Sequence, residues 1–506
     1  MRIALVSPKW NRLVNSYPPL GIGYLAAIAE SEGHTVAIFD LGLAPDTPLE
    51  DDVARIVAYA PDLVGMTAMT NNYHSAQQTF ALLKAQQAAP LLVGGPHATL
   101  FPERVLGDPN VDYLIYGEGE EPFRQLLRTM AWEGVRPDEA SLRGIAGLCF
   151  KTTAGPEPDG LVRNDPAPLL HDLDTLPMPA RHLFELGRYP LYAPNGERMV
   201  TLLTSRGCPF GCSYCFKGIM GRKYRQHSPD YVLREVHTLV DEYHYRHLYF
   251  IDDLFTFDQQ RLHEICERIV ADKLDIRWQC LARVDTVSRE GLALMYRAGC
   301  REIHYGIESG NAEVLKRIDK RITHEQVRAA IDWTNAAGIT AKGYFMLGLP
   351  GDTEETMQQT IALACELDLD LAMFSLTTPF PGTRLWDELV ARQPDVEFNA
   401  DFTQAFYYCN YDSLMKPFFN LSEVSDERLG ELGSEAQSRF QEAKRRRKYL
   451  HALGPRLGGA AYALSNVRWL RDLGRRLLKG GRLRKVKGVG ALGQDVARES
   501  VDEQWK

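Results

Sequence analysis

Cys208, Cys212 and Cys215 lie within eight residues, in the stretch SRGCPFGCSYCFKG that runs from Ser205 to Gly218. Spacings of four and then three residues bring three sulfurs toward one point. Arg206, Gly207, Pro209 and Gly211 make the stretch an exposed, turn-rich loop, so core packing explains these cysteines poorly. A structural zinc site takes four ligands, and neither His227 nor Cys266 is close enough in sequence to be an obvious fourth. Ferredoxin-type clusters also take four cysteines. A [4Fe–4S] cluster held by three thiolates instead leaves one iron open to a small molecule.

The bulk of the chain sets the setting for that chemistry. Its 506 residues are 45% apolar and 25% charged, as in an ordinary globular protein of two to four domains. A net charge of −8 argues against nucleic-acid binding. The start MRIALVSPKWN lacks a basic region followed by a long apolar core, so no signal peptide is expected. No apolar run reaches the length of a membrane span. Nine cysteines without a secretory context read as reduced thiols in a cytoplasm. Cys149, Cys266, Cys280, Cys300, Cys365 and Cys409 are scattered and read as small buried hydrophobes.

Which elements position the candidate residues? Residues 1–135 alternate short apolar runs with helical patterns. IALVS, TVAIFD, LVGMTA, LLVGG and YLIYG read as buried parallel strands. LGIGYLAAIAESEG reads as a helix ending at Gly33, and Phe123, Leu126, Leu127 and Met130 share one face of another. This is a doubly wound, Rossmann-like α/β sheet, whose ligands bind beyond the carboxyl ends of the strands. Thr67, Thr70, Gly94, Gly95, His97, Gly117, Glu118 and Gly119 fall there. Their glycines admit close backbone approach, and tight turns account for them about as well. No G-x-G-x-x-G opens the first helix.

The segments PPLGIGYLAAIAESEGH, GMTAMTNNYHSA, GGPHATLFPE and YGEGEEPFRQLL resemble the cobalamin-binding domain of cobalamin-dependent radical SAM enzymes. The resemblance implies that the strand-end residues just named contact cobalamin. The D-x-H-x-x-G motif, whose histidine ligates cobalt, is absent, so His97 is assigned a turn or amide-contacting role.

Residues 136–198 read as a linker with a hairpin at GLCFKTTAGPEPDGLVRN. Residues 199–392 resume strand–helix alternation, and six βα units in series imply a partial barrel. The strands run through MVTLLTS, HLYFIDD, IRWQCLAR, EIHYGIES, TAKGYFMLGLP and LAMFSLTTPFPGT. Ser228 and Pro229 read as the N-cap and first residue of a helix. C-x3-C-x2-C after the first strand of such a series resembles the signature of the radical SAM superfamily. That resemblance implies a [4Fe–4S] cluster on Cys208, Cys212 and Cys215, with the open iron binding S-adenosylmethionine. It also implies contacts to S-adenosylmethionine from Tyr214 at the adenine, from Arg283, and from Glu308 and Ser309. The Gly348 turn resembles the strand-five motif that meets adenine. A reducing partner of the flavodoxin or ferredoxin type follows as well. Asp252 and Asp253 stand between a supporting or substrate-contacting role and helix capping or pairing to a nearby arginine.

Residues 393–506 read as a mainly helical region. Phe406, Tyr407 and Tyr408 either line a substrate cavity or pack as core. From Arg439 onward the charge turns basic. Val467, Leu470, Leu473, Leu477 and Leu478 oppose Arg468, Arg471, Asp472, Arg475, Arg476 and Lys479 on a helical wheel. Such a helix reads as a peripheral membrane contact or as a docked helix with a solvated face. The resemblance implies radical modification of an unactivated carbon on a small-molecule or lipid-like substrate, with methyl transfer its commonest outcome. Oxidative cyclisation or rearrangement is the sister outcome. A cluster-binding protein without turnover is the non-enzymatic rival.

Overall fold

Continuous apolar strands need cover on both faces, and the first sheet has it. The computed structural model describes residues 1–10, 17–152, 160–396, 402 and 416–465. Strands β1 (Arg2–Ser7), β2 (Thr35–Asp40), β3 (Leu63–Thr67), β4 (Leu91–Gly94) and β5 (Tyr113–Ile115) are parallel, in the order β2-β1-β3-β4-β5. Along β1, Ile3 and Leu5 point into one apolar cluster with Ile28 and Leu127. Ala4 and Val6 point into another with Phe80 and Leu83. Alternation to two buried faces makes Ile3 to Val6 apolar throughout, with Arg2 and Ser7 at the strand's ends. The helix Leu20–Ser31 is followed by Gly33 at φ 82°, and Phe123, Leu126, Leu127 and Met130 are buried as their spacing requires.

The hairpin is not a free linker element. Its strands β6 (Leu148–Lys151) and β7 (Leu161–Arg163) extend the sheet antiparallel from β5. Sequence spacing showed the hairpin but not the edge it would join.

The chain packs as two compact units whose limits differ from the linear division. Of the described residues, one comprises those within Met1–Leu281, Arg297–Cys300 and 379–406; the other comprises those within Ala282–Tyr296, Arg301–Thr378 and 407–506. The first unit includes β8 (Met199–Leu202), the short antiparallel pair β9 (Ser205–Arg206) and β10 (Arg225–Gln226), then β11 (His247–Phe250) and β12 (Arg277–Ala282). β8, β11 and β12 are parallel. Buried polar ties explain why the crossing segment belongs here. Arg181 pairs with Glu235 at 2.5 Å and donates to the Thr201 carbonyl at 2.8 Å, and the Ala180 amide donates to the Gly23 carbonyl.

The second unit contains parallel β13 (Cys300–Glu308, all but its first residue), β14 (Thr340–Leu347) and β15 (Leu371–Leu376). The six strands β8 and β11–β15, alternating with helices, are the six expected βα units. Ser228 caps the helix Pro229–Asp241 through the Tyr231 amide. The final described helix, Asp426–Ser465, is broken at Gly454, just before Pro455, and buries Leu429, Leu432, Ala436 and Phe440. No helix among the described residues is long and apolar enough to cross a membrane. Phe406, Tyr407, Tyr408, Cys409 and the basic stretch 467–479 lie outside the described residues.

Candidate cluster and cofactor sites

The cysteine loop leaves and re-enters the fold through β9 and β10, which pair Arg206 with Arg225 and Ser205 with Gln226. Asp252, fully buried after β11, holds the departing strand. It accepts from the Thr204 amide and hydroxyl at 2.6 Å each and from the Ser205 hydroxyl at 2.7 Å. Arg261 holds both ends, donating to the carbonyls of Thr204 at 3.0 Å and His227 at 2.7 Å. Asp252 therefore anchors the base of the loop.

Within the loop the Cys215 amide donates to the Cys212 carbonyl at 3.3 Å. The Lys217 ammonium spans the turn, donating to the carbonyls of Cys208 and Phe210. Cys208 and Cys212 are half-buried and Cys215 is exposed. Surrounding protein pushes the Cys215 thiol up to about 12, against the pull of Lys217, with Asp253 and the other two thiols adding to the rise. Surrounding protein also raises Asp253, opposed by Lys217. A thiol so raised ionises when a metal supplies the compensating positive charge. Among the described residues no three His, Cys, Asp or Glu side chains already stand in a closed metal-binding arrangement. The fit to an iron–sulfur cluster rests on the donor set: three soft sulfurs on one partly exposed loop. Tyr214 is half-buried between Cys212 and Cys215.

In the second unit, Glu308 ends β13 at φ 70°, and its Oε1 accepts from Lys320 at 2.7 Å. The Ser309 hydroxyl is buried, 3.2 Å from that of Thr360, and accepts from the Asn311 amide at 3.1 Å. Arg283, read from sequence as a partner for a carboxylate of S-adenosylmethionine, grips Asp285 with two bonds of 2.9 Å. It also donates to the Lys320 carbonyl at 2.9 Å. The 3-10 turn Val284–Thr286 brings Asp285 back onto the guanidinium, a local fold that residue types do not reveal. Gly348 has φ 83°, and a Cβ there would lie 2.8 Å from Leu429. Only glycine fits both demands.

The strand ends of the first sheet hold an unusual set of polar atoms. Gly95 turns at φ 97°, and a Cβ would lie 2.7 Å from the Thr67 hydroxyl. This close approach lets the His97 amide reach the Ala68 carbonyl at 3.0 Å. The His97 ring stacks on Tyr73 at 4.0 Å, and its Nδ1 is 3.3 Å from the Thr70 hydroxyl. Burial, helped by the positive charge of Arg104, lowers His97 to about 3, so the imidazole is neutral. Its Nε2 is buried and unpartnered, as are the Tyr73 hydroxyl and both amide atoms of Asn71. Asn71 is only 2% exposed and borders a cavity of about 250 Å³ lined also by Lys9, His74, Ser75 and Gln78. Buried polar atoms without partners are uncommon in folded proteins, and a cluster of them beside a cavity is suited to a polar ligand or water. The strand ends thus fit a large amide-bearing group such as cobalamin. Asn71 was not among the residues singled out from sequence, where it was one polar residue in TNNY. Gly94 ends β4, Gly117 donates from its amide to the Thr99 hydroxyl at 3.0 Å, and Gly119 precedes the helix Glu120–Glu133. Glu118 departs from its expected role, since both its oxygens are held by Arg206, Arg225 and the Leu170 amide.

A cysteine-bearing partial barrel joined to a doubly wound strand-end site defines a class of cofactor-dependent enzymes, and comparison with known proteins agrees. Residues 202–364 match the Radical SAM superfamily and residues 11–127 match the B12 binding domain. An uncharacterized methyltransferase of Pyrococcus horikoshii is 35% identical over 400 residues, 77% of this chain and 83% of that one. The anaerobic magnesium-protoporphyrin IX monomethyl ester cyclase of Rubrivivax gelatinosus is 29% identical over 77% of this chain and 70% of its own. The solved radical S-adenosylmethionine methyltransferase TsrM from Kitasatospora setae, with cobalamin and a [4Fe–4S] cluster bound, shares the fold. It has TM-score 0.66 and 19% identity, covering 87% of this chain and 88% of that one. The chain belongs to the cobalamin-dependent radical SAM enzymes. The cofactors of that family are a [4Fe–4S] cluster, S-adenosylmethionine and cobalamin.

Proposed function

We propose that this enzyme transfers a methyl group to an unactivated carbon of a small-molecule substrate. Cys208, Cys212 and Cys215 hold the cluster in this reading. Tyr214, Glu308, Ser309 and the Gly348 turn contact S-adenosylmethionine. Thr67, Thr70, Asn71, Gly94, Gly95, His97 and Gly117 face cobalamin. Arg283 would join the S-adenosylmethionine contacts only by opening its pair with Asp285, so its proposed task is to brace the Glu308 side through Lys320. When bound, the cofactors supply an electron, a radical able to take a hydrogen atom from carbon, and a methyl group. The protein's part is to present the thiols on a braced loop and to offer unpartnered amide and imidazole groups to cobalamin. A one-electron donor of the flavodoxin or ferredoxin type would reduce the cluster.

The observation that carries this reading is the set of three thiols on a loop anchored by Asp252, in the same compact unit as the unpartnered strand-end atoms. The similarity to the Pyrococcus methyltransferase favours methyl transfer, and the similarity to the cyclase keeps oxidative ring formation as the second reading. Anaerobically reconstituted protein should release 5′-deoxyadenosine from S-adenosylmethionine under reduction, and Cys212→Ala should release none. Metabolite extracts supplied with trideuteromethyl S-adenosylmethionine should then yield a labelled product. A product that loses hydrogen without gaining label would replace methyl transfer with cyclisation. A protein that loads metal yet releases no 5′-deoxyadenosine would leave the non-catalytic rival.

A further inference from the structure

Two buried arginines converge on one carboxylate at the end of β5. Arg225 grips Glu118 in a fork, Nη1 to Oε2 and Nη2 to Oε1, each at 2.8 Å. Arg206 donates to Glu118 Oε1 at 3.3 Å and to Glu120 Oε1 at 2.7 Å. The Leu170 amide completes the set at 3.0 Å. Glu118 is 7% exposed, and Arg206 and Arg225 are 4% exposed each. Burial alone would raise Glu118, and the two guanidiniums overcome it to hold the carboxyl below the usual range.

Arg206 and Arg225 are register partners in β9 and β10. They are therefore the first and last fixed points of the loop that carries the three cysteines, and Arg206 stands two residues before Cys208. Glu118 stands between Gly117 and Gly119, among the strand ends assigned to cobalamin. One carboxylate thus grips both feet of the thiol loop from the other cofactor's side. Stability does not require such an arrangement, because apolar residues of similar volume commonly replace buried ion groups at little or no cost. What a bidentate arginine–carboxylate fork adds is a fixed geometry.

We infer that Glu118 is a positioning residue that sets where the cysteine loop stands relative to the cobalamin-side strand ends, acting through Arg206 and Arg225. The inference rests on the assignment of cluster and cobalamin made above. It explains why a carboxylate in the midst of a glycine-rich strand-end turn contributes nothing free to a ligand. Chemistry on one substrate that draws on both cofactors would tolerate little error in their separation.

The test uses the full chain, reconstituted anaerobically with iron, sulfide and hydroxocobalamin, then reduced until both centres are paramagnetic. Pulsed dipolar EPR reads the separation between the reduced cluster and cob(II)alamin. Wild type should give one narrow distribution. Glu118→Gln, which removes the charge and keeps the shape, and the milder Arg206→Lys should bind both cofactors at wild-type stoichiometry. Their distributions should broaden or move by about 1 Å or more. A purely stabilising pair would lower the melting temperature and leave the distribution alone, and that result overturns the inference. If neither variant folds to bind both cofactors, the residues are stability determinants and the positioning role falls. Wild-type protein that takes up no cobalamin or no iron would instead overturn the site assignment, a distinct outcome.

Discussion

Thr204 and Asp252 are joined twice, backbone amide to Oδ1 and hydroxyl to Oδ2, both at 2.6 Å. The pair sits wholly out of water, and Ser205 adds a third donor to the same carboxylate. Removing the acceptor leaves three buried donors without partners, each costing about 1–3 kcal/mol. Asp252→Ala should therefore destabilise the iron-free protein by about 3 kcal/mol or more in denaturant melts. Asp252→Asn keeps one oxygen acceptor and should lose roughly half as much.

Lys217 fastens the cysteine loop across its own turn through the Cys208 and Phe210 carbonyls. Lys217→Met should keep the fold, because the residue lies on the loop and not in a core. Iron uptake during anaerobic reconstitution should slow several-fold, followed by absorbance of the growing cluster. Uptake at the wild-type rate would show that the ammonium does not shape the loop.

His97 predicts a pH effect of definite sign. Its folded value of about 3 is depressed from the ordinary value of 6.5. The neutral ring therefore contributes stability that is fully present above pH 6.5 and is lost progressively as pH falls toward 3. The loss across that window is on the order of a few kcal/mol. His97→Phe, retaining the stack on Tyr73, should flatten the fall of melting temperature between pH 7 and pH 4. An unchanged acid limb would assign that limb to other groups, His227 foremost, since burial lowers it to about 4.

Gly348 carries a positive φ against the fully buried Leu429. Gly348→Ala should destabilise by about 1–3 kcal/mol from backbone strain and overlap together. Combined with Leu429→Ala it should cost less than the sum of the two single changes, because the smaller side chain relieves the overlap. Additive melts would place the whole cost in the backbone.

Much of this was legible from residue type and spacing. The cysteine triplet, the parallel strands and the Ser228–Pro229 cap follow from short-range chemistry, since each signal lies within about a dozen residues. The commitments of Glu118 and Arg283 were not legible in the same way. Glu118 meets partners at positions 206 and 225, far along the chain, and no local pattern announces a long-range ion pair. Arg283 meets Asp285, near in sequence but joined only by the geometry of a short turn. Asn71 was invisible for a third reason. An asparagine in a turn usually bonds its own backbone, and only the packed structure shows this one without a partner.

The grip of Glu118 on both feet of the thiol loop also limits how the chain can be dissected. Matches to the two families end at residue 127 and begin again at residue 202, which invites a cut between them. Such a cut would separate Glu118 from Arg206 and Arg225, stranding buried charge on each fragment, and a cut before Ala180 would also part it from Gly23. Neither half is a portable module. Shuffling either one among relatives would require the matching carboxylate and arginines to travel together, so the inheritance of the two halves should be linked.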